Sequence, residues 1–249
     1  MNKIKESRKA IVIGATSGIG KEVVKVLTDA GWLVGIAGRR QGELQKIQSL
    51  NFNIIATECI DITKDDASEH LTTLIGKMGG IDLYFHSSGI GFQNRELNQE
   101  KEISTVETNA VGMTRMINTA FHYFKNNKEK KGIIAVISSI AATKGLGPAP
   151  AYSASKRYVS HYMECLTHLC HINKIKNIRL LDIRPGFVKT PLLNDGTYYP
   201  MQMDASFVAT KIVKAINGNK NIMTIDWKYK TIVFFWKMIP RWLWVRIKI

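Results

Sequence analysis

The sequence is poor in cysteine, short of acid and without long apolar runs. Cys59, Cys165 and Cys170 are the only cysteines in 249 residues, an odd number without metal-ligand spacing. A disulfide scaffold and a zinc module are both excluded as readings, and no metal is expected. Reduced, packed thiols remain. Acids number 20 against 35 lysines and arginines, which leaves a formal charge of +15. Such an excess suits nucleic acid, anionic lipid or a polyanionic ligand. Zinc-finger spacing and RNA-recognition aromatics are both missing, so nucleic-acid binding rests on charge alone and is set aside. The opening "MNKIKESRKAIVIGA" has neither the apolar stretch nor the cleavage site of a secretory signal, so a cytosolic protein is expected.

An apolar content of 45% with 22% charge is enough for one substantial core and one domain. From Ala10 to about Ile183, short apolar runs alternate with segments at helical spacing, the pattern of βαβ units around a parallel sheet. Seven strands are predicted, starting at Ala10, Leu33, Asn53, Asp82, Gly132, Ile178 and Asn221. Helical spacing is carried by "GKEVVKVLTDAG", "GELQKIQSL", "ASEHLTTLIGKM", "STVETNAVGMTRMINTAFHYF" and "SASKRYVSHYMECLTHLCHI". The longest connection, Val188 to Met203, reads either as a substrate lid or as a surface excursion.

The first strand runs into "GATSGIG", residues Gly14 to Gly20, where a helix begins. Gly14 permits the tight exit, Gly18 lets backbone approach a pyrophosphate, and Gly20 lets helix pack on strand. With Thr16, Ser17 and Ile19 between them, the turn presents free amides at a helix N-terminus, a site for a dinucleotide. The second strand ends in Arg39 and Arg40 where an NAD site has a carboxylate, and arginine suits a 2′-phosphate. The expected cofactor is therefore NADP, as NADPH, rather than NAD. Asp61, followed by Ile62 at the end of the third strand, is placed either to accept from an adenine amine or to cap the next helix.

Tyr152 and Lys156 stand four apart and are neighbours on a helix. A phenol titrates near ~10 in water, and a nearby ammonium favours its phenolate. Ser138 and Ser139 end the fifth strand, and Ser139 lies thirteen residues before Tyr152. With "GATSGIG", "ETNAVG", "ISS" and "YSASK" in that order, the sequence resembles the short-chain dehydrogenase/reductase family. The resemblance implies an α/β, Rossmann-type doubly wound, mostly parallel seven-stranded sheet flanked by helices. It also implies a catalytic set in which Tyr152 is the general acid and base, Ser139 orients the substrate oxygen, Lys156 binds ribose and tunes Tyr152, and Asn109 holds a water. In "RPGFVKTPL", Pro185 and Gly186 would wall the nicotinamide, Val188 would bind the cofactor, and Thr190 would bind the carboxamide or a phosphate. Where the family usually has Asn-Asn-Ala-Gly, this chain has His86, Ser87, Ser88 and Gly89. Gly89 keeps the close approach to the ribose, Ser87 replaces the bracing Asn, and His86 reads as a packed strand-end residue.

Residues 228–249 form an apolar, basic tail behind a domain spanning residues 1–227. Lys230, Lys237, Arg241 and Lys248 would line one face of a helix, with Pro240 kinking or dividing it. The tail suits an anionic membrane interface on the inner face, or else it packs on the domain or a partner subunit; the family commonly forms dimers or tetramers. Tyr198, Tyr199, Met201 and Met203 are expected near the carbonyl site. The expected function is NADP-dependent interconversion of a bulky or lipid-like carbonyl compound with its alcohol; the alternative is a membrane-associated dinucleotide-binding scaffold or sensor without turnover.

Overall fold

A computed structural model describes residues 7–247. Its strands are Lys9–Ile13 (β1), Leu33–Gly38 (β2), Ile54–Cys59 (β3), Leu83–His86 (β4), Gly132–Ile137 (β5), Ile178–Pro185 (β6), Val188–Lys189 (β7), Met203–Asp204 (β8) and Ile222–Ile225 (β9). The helices are Gly18–Asp29 (α1), Gln41–Ser49 (α2), Ala67–Lys77 (α3), Gln99–Val106 (α4), Met113–Asn126 (α5), Pro150–Ile172 (α6), Ala205–Ile216 (α7), Trp227–Met238 (α8) and Arg241–Trp244 (α9). Seven strands form one sheet in the order β3-β2-β1-β4-β5-β6-β9, every pair parallel. The order reverses between β1 and β4, the place where open α/β sheets bind ligands beyond the strand C-termini.

Strand side chains alternate between two cores. Ala10, Val12, Leu83, Phe85, Leu181 and Ile183 face the core shared with Val23 and Leu27 of α1 and Val208 and Ile212 of α7. Ile11, Ile13, Tyr84, Ile134 and Val136 face the other, filled by Leu71 and Leu74 of α3, Met116 and Phe124 of α5, and Val159 and Met163 of α6. Burial on both faces is why these strands read as continuous apolar runs.

Three features depart from the predicted elements. Helix α7 has no counterpart among the predicted segments, although Val208, Ala209, Ile212, Val213 and Ile216 lie at helical spacing and are buried. The long segment predicted around Asn109 is divided into α4, a π-helical turn at Glu107–Gly112, and α5. The Val188–Met203 connection closes on itself, because Val188 and Lys189 pair with Met203 and Asp204.

At β5 the helix layer comes onto bare backbone. A Cβ on Gly132 would stand 2.1 Å from Cδ1 of Phe124, a fully buried ring. Gly132→Ala is expected to lower unfolding free energy by about 1–3 kcal/mol through overpacking, seen as an earlier urea midpoint with an unchanged slope.

Candidate active site

The glycine turn is shaped by what surrounds it. Gly14 has φ +82°, and a Cβ there would meet the Ser88 amide nitrogen at 2.7 Å; Gly20 would place one 2.1 Å from the Gly14 carbonyl oxygen. Neither position admits a side chain. A Cβ on Gly18 would lie 3.2 Å from Cγ2 of Thr190, so the first turn and the segment after β6 meet there. Ser17 precedes α1 without a side-chain cap, which leaves the first amides of that helix open. A backbone cradle with free amides fits the pyrophosphate of a dinucleotide.

Arg40 crosses the mouth of this turn. Its Nε and Nη2 donate to Thr16 Oγ1 at 3.1 and 2.6 Å, and Nη2 also donates to Ser17 Oγ at 3.0 Å. Arg39 is exposed, and its charge acts on Asp61. Burial pushes the Asp61 carboxyl up, but the Thr63 amide and hydroxyl, at 3.0 and 2.8 Å, outweigh it and hold the group below its ordinary value. Asp61 thus closes its own turn, and the following helix is preceded by Asp66 instead. Ile62 is buried, and its carbonyl accepts from Arg115 at 3.0 Å.

Ser139, Tyr152, Lys156 and Asn109 converge beyond the ends of β4 and β5. Ser139 Oγ accepts from the Ala141 amide at 3.0 Å, leaving its O–H to donate, and it is hydrogen-bonded to Tyr152. Burial pushes the Tyr152 phenol above its ordinary value, with the Ser139 hydrogen bond opposing and Tyr199 adding to the rise. Lys156 Nζ donates to the Ile137 carbonyl at 3.0 Å and sits 5.8 Å from the Tyr152 ring centroid. The expectation that this cation depresses the phenol is not met, because burial dominates. Burial also pulls Lys156 down to about 8, against an opposing pull from Asp182.

Asn109 bonds to protein through both atoms of its amide. Its Oδ1 accepts from the Ile90 amide at 2.9 Å, while Nδ2 donates to the Ile90 carbonyl at 2.7 Å and to Ser155 Oγ at 3.0 Å. The side chain therefore clamps the Gly89–Gly91 loop. A Cβ on Gly89 would lie 3.2 Å from both Asn109 Oδ1 and Lys156 Nζ, and one on Gly91 would meet the Tyr152 ring at 2.4 Å. Gly91, Ile90 and Ser155 are site residues that sequence reasoning missed, though two glycines just after a buried strand are a readable signal of close approach.

A polar hub lies underneath. Buried Asp182 accepts from Ser138 and, at 2.5 and 2.7 Å, from Ser160 Oγ and Arg184 Nε. Ser138 therefore anchors the strand end while Ser139 faces the site. Ser153 Oγ donates to the Ala141 and Lys144 carbonyls at 2.9 and 3.0 Å, fastening the first turn of α6 to the loop after Ser139. His86 Nδ1 lies 2.8 Å from Tyr84 Oη, and its Nε2 is buried without a hydrogen-bond partner among the described residues. Burial, then the Lys156 charge, lowers His86 to about 3, so it is neutral at physiological pH. Ser87 continues the β1–β4 ladder through its amide, which donates to Ile13 at 2.9 Å.

The far wall comes from β6, the Val188–Met203 loop and α8. Pro185 is buried in β6, and the Gly186 backbone lies under the Tyr229 ring, where a Cβ would be 2.2 Å from Cζ. Tyr229 Oη accepts from the Phe187 amide at 3.2 Å and donates to the Met201 carbonyl at 2.9 Å. Of the four residues expected near the carbonyl site, Tyr199 lies nearest Tyr152's surroundings: its ring is tilted against Phe187 at 5.0 Å, it accepts from Gln93 at 3.2 Å and it acts electrostatically on Tyr152. Tyr198 is turned to solvent and Met201 is exposed on a turn with φ 56°. Met203 is buried in the core beside Val188, because the β7–β8 pairing draws both inward.

Lys156 lies below its ordinary 10.5, so the unfolded chain holds that proton more tightly. Its burial cost is fully present below pH 8 and fades as pH rises to 10.5. Lys156→Met is expected to raise unfolding free energy at neutral pH by about 1–3 kcal/mol and to flatten the rise across that window, measured by urea titration at several pH values.

The family model for short chain dehydrogenases matches residues 8–197. An uncharacterized oxidoreductase of Myxococcus xanthus is 29% identical over 241 residues, covering 94% of this chain and 93% of that one. Among solved structures, the alcohol dehydrogenase of Thermococcus sibiricus complexed with 5-hydroxy-NADP has a TM-score of 0.78 at 18% identity, covering 88% of this chain and 96% of its own. The 3-ketoacyl-(acyl-carrier-protein) reductase of Brucella melitensis complexed with NADH has a TM-score of 0.77 at 21% identity, covering 89% and 97%. Cradle, fold and family match agree: the chain belongs to the short-chain dehydrogenases, a family of oxidoreductases.

Proposed function

We propose that the chain is an NADP-dependent oxidoreductase that interconverts a carbonyl and a secondary alcohol on a bulky, apolar substrate. The observation that carries this reading is the meeting of Ser139, Tyr152 and Lys156 beside a turn into which no side chain fits. Gly14, Thr16, Ser17, Gly18, Ile19 and Gly20 would hold the pyrophosphate, Arg39 and Arg40 a 2′-phosphate, Asp61 and Ile62 the adenine end, and Gly89, Lys156, Pro185, Gly186, Val188 and Thr190 the nicotinamide half. When bound, the nicotinamide supplies or takes up a hydride.

The protein's part is proton transfer and charge stabilisation. The Ala141 amide occupies one lone pair of Ser139, whose O–H would be available to donate to a substrate oxygen. A phenol raised above its ordinary value is protonated at neutral pH, so Tyr152 is set to give a proton to that oxygen in the reductive direction. In reverse it takes one, and the Lys156 ammonium close by offsets the negative charge then formed. Phe187 and Tyr199 give the substrate side an aromatic wall, which favours an apolar body next to the reacting carbonyl.

Two experiments test the reading. NADPH oxidation with carbonyl compounds running from small ketones to acyl-chain ketones is expected to favour the longer ones, and Tyr152→Phe to cut turnover by about 10²–10⁴ while NADPH still binds. Equal turnover by that variant removes Tyr152 as the acid. Arg40→Ala is expected to raise KM for NADPH by about ten- to a hundredfold and to leave KM for NADH nearly unchanged. An equal rise for both cofactors refutes the phosphate role.

A further inference from the structure

Helix α8 is apolar on two opposite sides, and the fold covers only one of them. Tyr229 and Val233 are buried in the core, with Ile232 and Trp236 packed against it. On the outer side Trp227, Phe234, Phe235 and Met238 are 69%, 61%, 58% and 65% exposed. At 3.6 residues per turn, Trp227, Phe234 and Met238 fall within about 40° of one another around the axis. Lys228 lies roughly a quarter-turn to one side of that stripe, and Lys230 and Lys237 about as far to the other. After the break at Pro240, Trp244 turns inward and donates to the Gly145 carbonyl at 2.8 Å, whereas Trp242 and Val245 are 63% and 69% exposed. Arg246 stacks over Trp242 at 5.7 Å.

Packing on the domain thus accounts for Tyr229, Val233, Trp236 and Trp244 but leaves the outer aromatics in water. Charge says what covers them. From residue 227 to the end there are six lysines and arginines and no acid. Among the described residues none of Lys228, Lys230, Lys237, Arg241 and Arg246 is in an ion pair. A second copy meeting this face through a two-fold axis would set like charges against each other. No helix of the described residues is long and apolar enough to cross a membrane. Lys248 lies outside the described residues.

We propose that the outer face of α8, with Trp242 and Val245, rests on an anionic lipid surface, its rings entering the interface while the flanking lysines meet the headgroups. The same helix holds the Val188–Met203 loop through Tyr229 on its inner side, so docking would set the loop of the substrate side about one helix width from the lipid. That consequence, access for a carbonyl compound carried in the leaflet, rests on the redox reading; the docking does not.

Truncation after Trp227 is a poor test, because it strips Tyr229 and Val233 from the core. Full-length protein is instead sedimented with vesicles of phosphatidylcholine alone or with added phosphatidylglycerol. Two variants are compared with it: one combining Phe234→Ser, Phe235→Ser and Trp242→Ser, the other combining Lys230→Glu and Lys237→Glu. Expected are salt-sensitive binding to the anionic vesicles, binding at least tenfold weaker to phosphatidylcholine, and a tenfold or greater loss in both variants with NADPH binding retained. If the aromatic variant loses NADPH binding, the charge-reversal variant alone decides. Unchanged sedimentation of a folded variant overturns the proposal. So does a wild type that ignores anionic vesicles and elutes as a dimer that the aromatic variant converts to monomer.

Discussion

An ammonium taken almost wholly out of water at Lys156 sets the terms for everything around it. Alone, such a charge is costly to bury, and here it is met by the Ile137 carbonyl and the field of Asp182. Asp182 in turn is buried with Ser138, Ser160 and Arg184 all donating to it. Those donors come from the residue after β5, from α6 and from β6. The lysine therefore fixes how α6 lies across the two strands, and Tyr152, one turn earlier, takes its place from the same helix. Ser153 and Glu102 complete the restraint: the first holds the loop after Ser139, and the second accepts from the Ala151 amide at 3.0 Å, satisfying a free donor at the helix start.

Much of this was legible in the sequence wherever the determinant is local. Buried parallel strands show as apolar runs, a turn too tight for side chains shows as Gly14, Gly18 and Gly20, and a shared helical face shows as a four-residue spacing between Tyr152 and Lys156. What escaped depends on convergence in space. Asp182 is a single acid inside "IRLLDI", and its three donors are far away along the chain except Arg184. Asn109 was legible as a site residue, but its use as a clamp on Ile90 needs the π-helical turn, an extra residue per turn that no apolar periodicity announces. Met203 read as loop and proved to be core because two residues of backbone pairing pull it inward. The α7 helix was a different kind of miss, since its spacing was there to be read.

The direction of the Tyr152 shift bears on how such a site operates. A cation nearby pulls a phenol down and burial pushes it up, and with Lys156 itself lowered by the same burial, the second effect wins. The two groups are therefore displaced apart: the phenol holds its proton more tightly and the ammonium less tightly than in water. Both keep their protons at neutral pH, and of the two only Lys156 is brought nearer to losing its own. Neutral His86, buried beside Tyr84, adds no competing charge on that side.

Helix α8 shows why a two-sided apolar helix cannot be oriented from its sequence. With Tyr229 on one side and Phe234 on the other, neither side is marked as inner by hydrophobicity. The deciding feature is polar: the Tyr229 hydroxyl finds the Phe187 amide and the Met201 carbonyl, partners only the inner side offers. Once that side is chosen, the opposite rings cannot be buried by the same fold. Each large apolar side chain left in water forgoes roughly 1.5–3 kcal/mol, and folding alone does not recover it. A second surface would, and since residues 227–249 carry six cations and no acid, a negatively charged one would suit them.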